Sequence, residues 1–177
     1  IFLGQIKSGA RMKEFEIAIQ WLCDAGLVYK VHKVSKPAVP LKSYVSFSDF
    51  KVYLCDIGLL GALSELDKES VINGNDIFVE FKGALTEQYV LQELKATTCY
   101  ILYYYSGEKS TYEVDFLIQK GKDVIPLEVK AEENLKAKSL KFYSEKFSPP
   151  TAIRTSMSKY RKQDWLTNVP LWAVSGV

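Results

Sequence analysis

The sequence predicts an α/β layer fold, and three observations carry that reading. Residues 77–177 run helix, three strands, helix, strand, strand, the order of a sheet covered by helices. Inside that run, "YEVDFLIQ" (112–119) and "VIPLEVK" (124–130) alternate apolar and polar side chains around a short turn, as a hairpin does. With 177 residues, 47% hydrophobic and 25% charged, the chain can bury an ordinary core as one domain or two small ones.

From the N-terminal side, "RMKEFEIAIQWLCDAG" (11–26) reads as an amphipathic helix. Phe15, Ile19 and Leu22 keep helical spacing, and Gly26 is a natural stop. "LVYKVHKV" (27–34) alternates like a strand, "SKPAVPLK" (35–42) is a proline-broken loop, and "FKVYLC" (50–55) is the returning strand. "DIGLLGALSEL" (56–66) is a short helix capped by Asp56. Helix, strand, loop, strand is the tail of a winged-helix module, so residues 1–66 are expected to be a partial one. The polar, turn-rich "DKESVINGND" (67–76) is the expected linker to a second domain over 77–177.

That second part opens with a long helix, "IFVEFKGALTEQYVLQELKAT" (77–97), followed by the strand "CYILYYY" (99–105), a loop and the hairpin. "NLKAKSLKFYSEKF" (134–147) is a helix with Leu140 and Phe147 inward and a lysine-rich outer face. "TAIRTS" (151–156) and "VPLWAV" (169–174) are short strands joined by a basic loop.

Composition excludes several classes. Three cysteines, no CxxC and one histidine argue against structural zinc and for three reduced core thiols in a cytoplasmic protein. No apolar run is long enough to span a membrane. "GEKST" (107–111) lacks the glycine spacing of a nucleotide-binding loop, so no ATP site is expected in these residues. The first residue is Ile1 rather than Met, which suggests a piece of a longer chain. Charge is unevenly spread: residues 51–129 carry seven Lys/Arg against thirteen Asp/Glu, whereas residues 130–177 carry nine against four. An acidic middle beside a basic flank suits a metal site bordered by a phosphate-contacting surface, and equally an ordinary mixed surface.

The hairpin concentrates the chemistry. With Lys120-Gly121 central in the turn, Gln119 pairs with Lys122, Val114 faces Leu127, and Phe116 faces Ile125. Asp115 then faces Pro126, diagonal to Glu128, and Glu113 lies opposite Glu128. Strict alternation puts Asp115, Glu128 and Lys130 on one face. On the preceding helix, Ala84, Glu87, Leu91 and Leu94 form one stripe, so Glu87 is a carboxylate among apolar neighbours. A divalent cation is the natural use of such a group. The plain alternative is a set of solvent-facing strand residues and a helix-border glutamate paired with lysine. Lys136, Lys138 and Lys141 on the helix and Arg154, Lys159, Arg161 and Lys162 around the later loop are candidate phosphate contacts. Tyr103, Tyr104, Tyr105 and Tyr160 are candidate base-stacking groups.

Asp115, twelve residues, then Glu128-Val129-Lys130, with Glu87 upstream, resembles the core of the PD-(D/E)xK nuclease superfamily. More closely, "WLCDAGLVYKVHKVSKPAVPLKSY", "FKVYLCDIGLL", "FKGALTEQYVLQEL" and "YEVDFLIQKGKDVIPLEVKA" resemble the C-terminal region of bacterial and archaeal AAA-type ATPases, where a nuclease-like domain follows a winged helix. The resemblance implies a mixed central sheet flanked by helices, with Asp115 and Glu128 as ligands of Mg²⁺ or Mn²⁺. It gives Lys130 the role of orienting water or steadying phosphate charge, and Glu87 that of completing a catalytic set. Val114 stands where that superfamily has proline before its first Asp. The implied partners are DNA and an ATPase module in the same polypeptide that holds the ATP, through which the chain would also oligomerise. Three functions follow: a metal-dependent deoxyribonuclease, a non-catalytic DNA-binding module, or an interaction domain on a relict nuclease fold.

Overall fold

The computed structural model describes residues 12–64, 76–107, 112–131 and 137–177. Lys136, nearly all of the expected linker and residues 108–111 of "GEKST" lie outside these. Helix α1 (Met12–Asp24) leads into strand β1 (Val28–Val34). The helix stops as expected at Gly26, whose φ of 73° is cheap only for glycine. The amide of Gly26 bonds the Cys23 carbonyl and that of Leu27 the Leu22 carbonyl, the two bonds of a Schellman end. A 3₁₀ turn (Leu41–Tyr44) precedes β2 (Val45–Leu54). Helix α2 (Ile57–Leu63) is capped by Asp56, whose carboxylate accepts the Leu59 amide at 2.9 Å.

The second part comprises α3 (Asp76–Thr97), β3 (Leu102–Ser106), β4 (Glu113–Lys120), β5 (Asp123–Val129), α4 (Lys138–Phe147), β6 (Ala152–Ser156), β7 (Arg161–Lys162) and β8 (Leu166–Pro170). The expected strand over 169–174 is displaced: β8 ends at Pro170, and residues 171–176 wind into a 3₁₀ turn that buries Val174. The eight strands of the described residues join one mixed sheet in the order β2-β1-β3-β4-β5-β6-β8-β7. The strands expected in a winged-helix remnant are therefore the outermost two of the sheet built by residues 77–177, with β1 running parallel to β3.

Helices cover both faces. Val90, Leu91 and Leu94 of α3 pack with Phe116, Ile118, Leu127 and Ile153 on one face. Leu140 and Tyr143 of α4 pack with Tyr103, Tyr105, Val114, Leu117 and Ala152 on the other. Ala84, expected on the buried stripe of α3, is exposed; the inward positions are instead Gln88, Val90, Leu91 and Leu94. Gln88 is 2% exposed and bonds both the amide and the carbonyl of Leu54, at 3.0 and 2.6 Å, continuing the sheet's bonding with a side chain. Cys23 and Cys55 are half-buried and Cys99 is exposed, so the three free thiols border the core rather than fill it. Among the described residues no helix is long and apolar enough to cross a membrane.

The β4–β5 hairpin forms, but its register differs from the expected one. Lys120 pairs with Asp123 and Phe116 with Leu127, which makes Gly121-Lys122 the two central residues. Gly121 has φ 62°, and glycine first in a two-residue turn is the type II′ requirement. The shift is two residues, so it preserves which face each β5 residue occupies.

Candidate functional site

What moves the expected site residues apart is a bulge in β4. Tyr103 pairs with Leu117 but Tyr105 pairs with Val114, so β4 holds one more residue than β3 across this step. Val114 and Leu117 both face α4, and Asp115 and Phe116 both turn toward α3. Strict alternation would have sent Asp115 to the α4 face with Glu128. The bulge reverses it, and the expected single face for Asp115, Glu128 and Lys130 does not form.

On the α3 face Asp115 meets an acidic cluster organised by a lysine. The Lys51 ammonium lies 3.0 Å from Glu87 Oε1 and 2.6 Å from Glu113 Oε1, and 5.3 Å from the centre of the Tyr104 ring. The Tyr53 hydroxyl donates to the same Glu87 oxygen. Burial pulls the Lys51 pKa down, but Glu87 and Glu113 overrule it and hold it above the ordinary lysine value. Burial, then the Glu87 charge, raises the Tyr53 phenol. Asp115 Oδ2 accepts the Val129 amide at 2.7 Å. That bond falls beyond the Phe116–Leu127 pair, where β4 and β5 stop pairing and part. Burial and the Glu87 charge push the Asp115 carboxyl up to about 7, against the opposing pull of the Val129 amide and Lys51.

On the α4 face Glu128 is 3% exposed. One of its oxygens takes the Lys130 ammonium at 2.6 Å and the other takes the Leu140 amide at 3.0 Å. Ala137, at the start of α4, has no side chain that can cap the helix, so Glu128 supplies the cap from β5. The structure thus brings Glu87 to Asp115 and Lys130 to Glu128, with Glu128 still near enough to Asp115 for its charge to add to the rise of the Asp115 pKa.

These residues do not fit Mg²⁺ or Mn²⁺ as arranged. Glu128 and Glu87 are engaged by protein donors, and among the described residues no group of three or more His, Cys, Asp or Glu side chains is placed to hold a metal ion. The cation among the carboxylates is Lys51. Sequence reasoning passed over Lys51 and Tyr53, although their i, i+2 spacing in a strand put both on one face; the partner that gives that face meaning lies 36 residues away.

The basic candidates divide similarly. Lys138, Lys141, Lys159, Arg161 and Lys162 are exposed. Arg154 is 2% exposed on β6, with its Nε donating to Asn168 Oδ1 at 2.9 Å, so it sits in the wall of the sheet and not on a surface loop. Tyr103, Tyr104 and Tyr105 are all buried, on alternating faces, and serve the two cores instead of an open stacking surface; Tyr160 is exposed.

Neither a curated protein nor a solved structure matches the chain. Residues 3–70 match a domain of unknown function, DUF8612. Residues 82–174, just over half of the chain and including Glu87, Asp115, Glu128 and Lys130, match another, DUF4143. DUF4143 domains occur C-terminal to AAA-type ATPases. The chain therefore belongs to the DUF4143 family.

Proposed function

We propose that this chain is a DNA-associated accessory module of an AAA-type ATPase, built on a nuclease-like fold whose acidic residues hold the structure rather than cleave. One observation carries the reading: Asp115 and Glu128 leave the hairpin on opposite faces, and Glu128 spends both oxygens on Lys130 and the α4 amide. The nuclease-like ancestry is supported by the mixed central sheet with helices on both faces, which is what the PD-(D/E)xK resemblance implies. DNA association is supported by the basic residues 130–177 and by the exposed Lys138 and Lys141 of α4 and Lys159, Arg161 and Lys162 around β7.

The test is incubation of plasmid, linear and branched DNA with Mg²⁺ or Mn²⁺, alongside a salt titration of DNA binding. Binding should weaken steeply with salt, survive Asp115→Ala, and proceed without strand breaks. Metal-dependent cleavage lost in Asp115→Ala overturns the non-catalytic reading and favours a metal-dependent nuclease. That second reading draws on one specific feature: Asp115, Val129 and Glu128 lie side by side where β4 and β5 part, and Lys130 follows directly.

A further inference from the structure

Beside Glu128, on the α4 face, a pocket of about 280 Å³ opens between the first turns of α4 and strands β6 and β8. Its inner wall is made by Arg154 and Leu166, each 2% exposed. Its rim carries Lys138, Lys141, Gln163 and Trp165, all exposed. Three cationic groups line it, and the buried Glu128 carboxylate, paired with Lys130, acts on the Arg154 guanidinium from the matching position on β5. The Arg154 guanidinium is fixed in place. Its Nε bonds Asn168 Oδ1 at 2.9 Å, the Ser156 hydroxyl bonds the same oxygen at 2.8 Å, and Asn168 in turn donates to the carbonyls of Ser158 and Lys159. Lys141 is held loosely, 3.9 Å from Glu145 with both side chains about two-thirds exposed, an ion pair too weak to keep the ammonium from another anion. Trp165 keeps 39% of its surface open at the mouth.

We propose that this pocket binds a nucleoside phosphate, with the phosphate held by Lys138 and Lys141 toward Arg154 and the base lying on Trp165. An immobile guanidinium backed by two mobile ammonium groups suits a doubly charged oxyanion. An indole face at the rim suits any base, because stacking does not depend on base identity. The volume lies at the small end of ligand cavities, enough for one nucleotide unit and too little for a duplex. The inference rests on the reading of this chain as nucleic-acid-associated and adds where one unit is held. The nucleotide has two possible sources, an unpaired strand or a free mononucleotide.

The experiment uses the full chain in EDTA with a labelled single-stranded oligothymidylate read by anisotropy, and AMP read by calorimetry and as a competitor. The variants are Lys138→Ala/Lys141→Ala, Trp165→Ala and, as a control off the pocket, Lys159→Ala/Arg161→Ala/Lys162→Ala. All alter exposed side chains, and circular dichroism checks their folding. The double lysine variant should weaken the oligonucleotide about tenfold or more and flatten the dependence of log K on log salt by roughly one to two. Trp165→Ala should weaken it about fivefold to a hundredfold. AMP that binds and competes identifies a free nucleotide as source; an oligonucleotide that AMP does not displace identifies a strand. If the oligonucleotide binds and only the control variant weakens it, the pocket assignment fails while DNA association stands. If AMP binds through the pocket and no DNA binds, DNA association fails while the pocket stands.

Discussion

Replacing Asp115 with asparagine should stabilise the protein at alkaline pH, by a margin that shrinks as the pH falls. The folded chain holds a proton on Asp115 up to about pH 7, whereas the unfolded chain releases it near the ordinary value of 3.8. That contribution is complete below pH 3.8, declines as pH rises toward 7, and is then gone. At about 1.4 kcal/mol per pKa unit the full interval corresponds to about 4 kcal/mol, an upper bound because Asp115 keeps some contact with solvent. Between pH 5 and 8 only the portion from 5 to 7 is traversed, and about 3 kcal/mol is the expected loss. Asparagine carries an oxygen that can still accept the Val129 amide and brings no charge to Glu87. The margin of Asp115→Asn over the parent should therefore widen by about 3 kcal/mol between pH 5 and pH 8, roughly 6–12 °C in Tm for a chain of this size. Urea unfolding at both pH values measures it. A variant less stable than the parent at pH 8, or a parent whose stability does not fall between pH 5 and 8, refutes the buried-acid account.

Glu128→Ala uncaps α4 and strands the Lys130 ammonium, and should cost about 2–4 kcal/mol with faster amide exchange at Leu140; Glu128→Gln, which keeps an acceptor, should cost less. Tyr53→Phe removes the phenol that bonds Glu87 and should cost about 1–2 kcal/mol. Its effect should couple to that of Lys51→Met by about 0.5 kcal/mol or more in a double-mutant cycle, because both side chains serve the same oxygen. Gly121→Ala meets no atom within 4 Å and should cost about 1 kcal/mol through its positive φ alone, measured by thermal unfolding.

Local chemistry made much of the fold legible in the sequence. The Gly26 stop, the Asp56 cap and the α4 stripe each depend on residues a few positions apart, and each is found where the residues imply it. The hairpin itself was legible, but its register was not, because Lys120-Gly121-Lys122 admits glycine as first or second central residue. The type II′ turn decides it through the φ of Gly121, and the glycine-first option was readable in principle. The bulge was not. Tyr103, Tyr104 and Tyr105 look alike as strand formers, and nothing between Val114 and Phe116 says that one residue of β4 goes unmatched by β3. A single unmatched residue then undid the expectation of one acidic face, since period-two reasoning fails wholly beyond an insertion.

The acidic cluster is a joint product of two stretches of chain that the sequence reads as separate. Glu87, Glu113 and Asp115 come from the stretch matched by DUF4143, while Lys51 and Tyr53 come from the stretch matched by DUF8612. Without the earlier stretch, three carboxylates would crowd the α3 face with no cation among them, and β3 would present an open edge where β1 now pairs. Gln88 adds a second tie by bonding the end of β2 through both the amide and the carbonyl of Leu54. The lysine that holds these acids together is thus also what makes the outer strands indispensable to the sheet. An acidic face neutralised from within by a lysine 36 positions before Glu87 has less need of a metal than the same face would have alone.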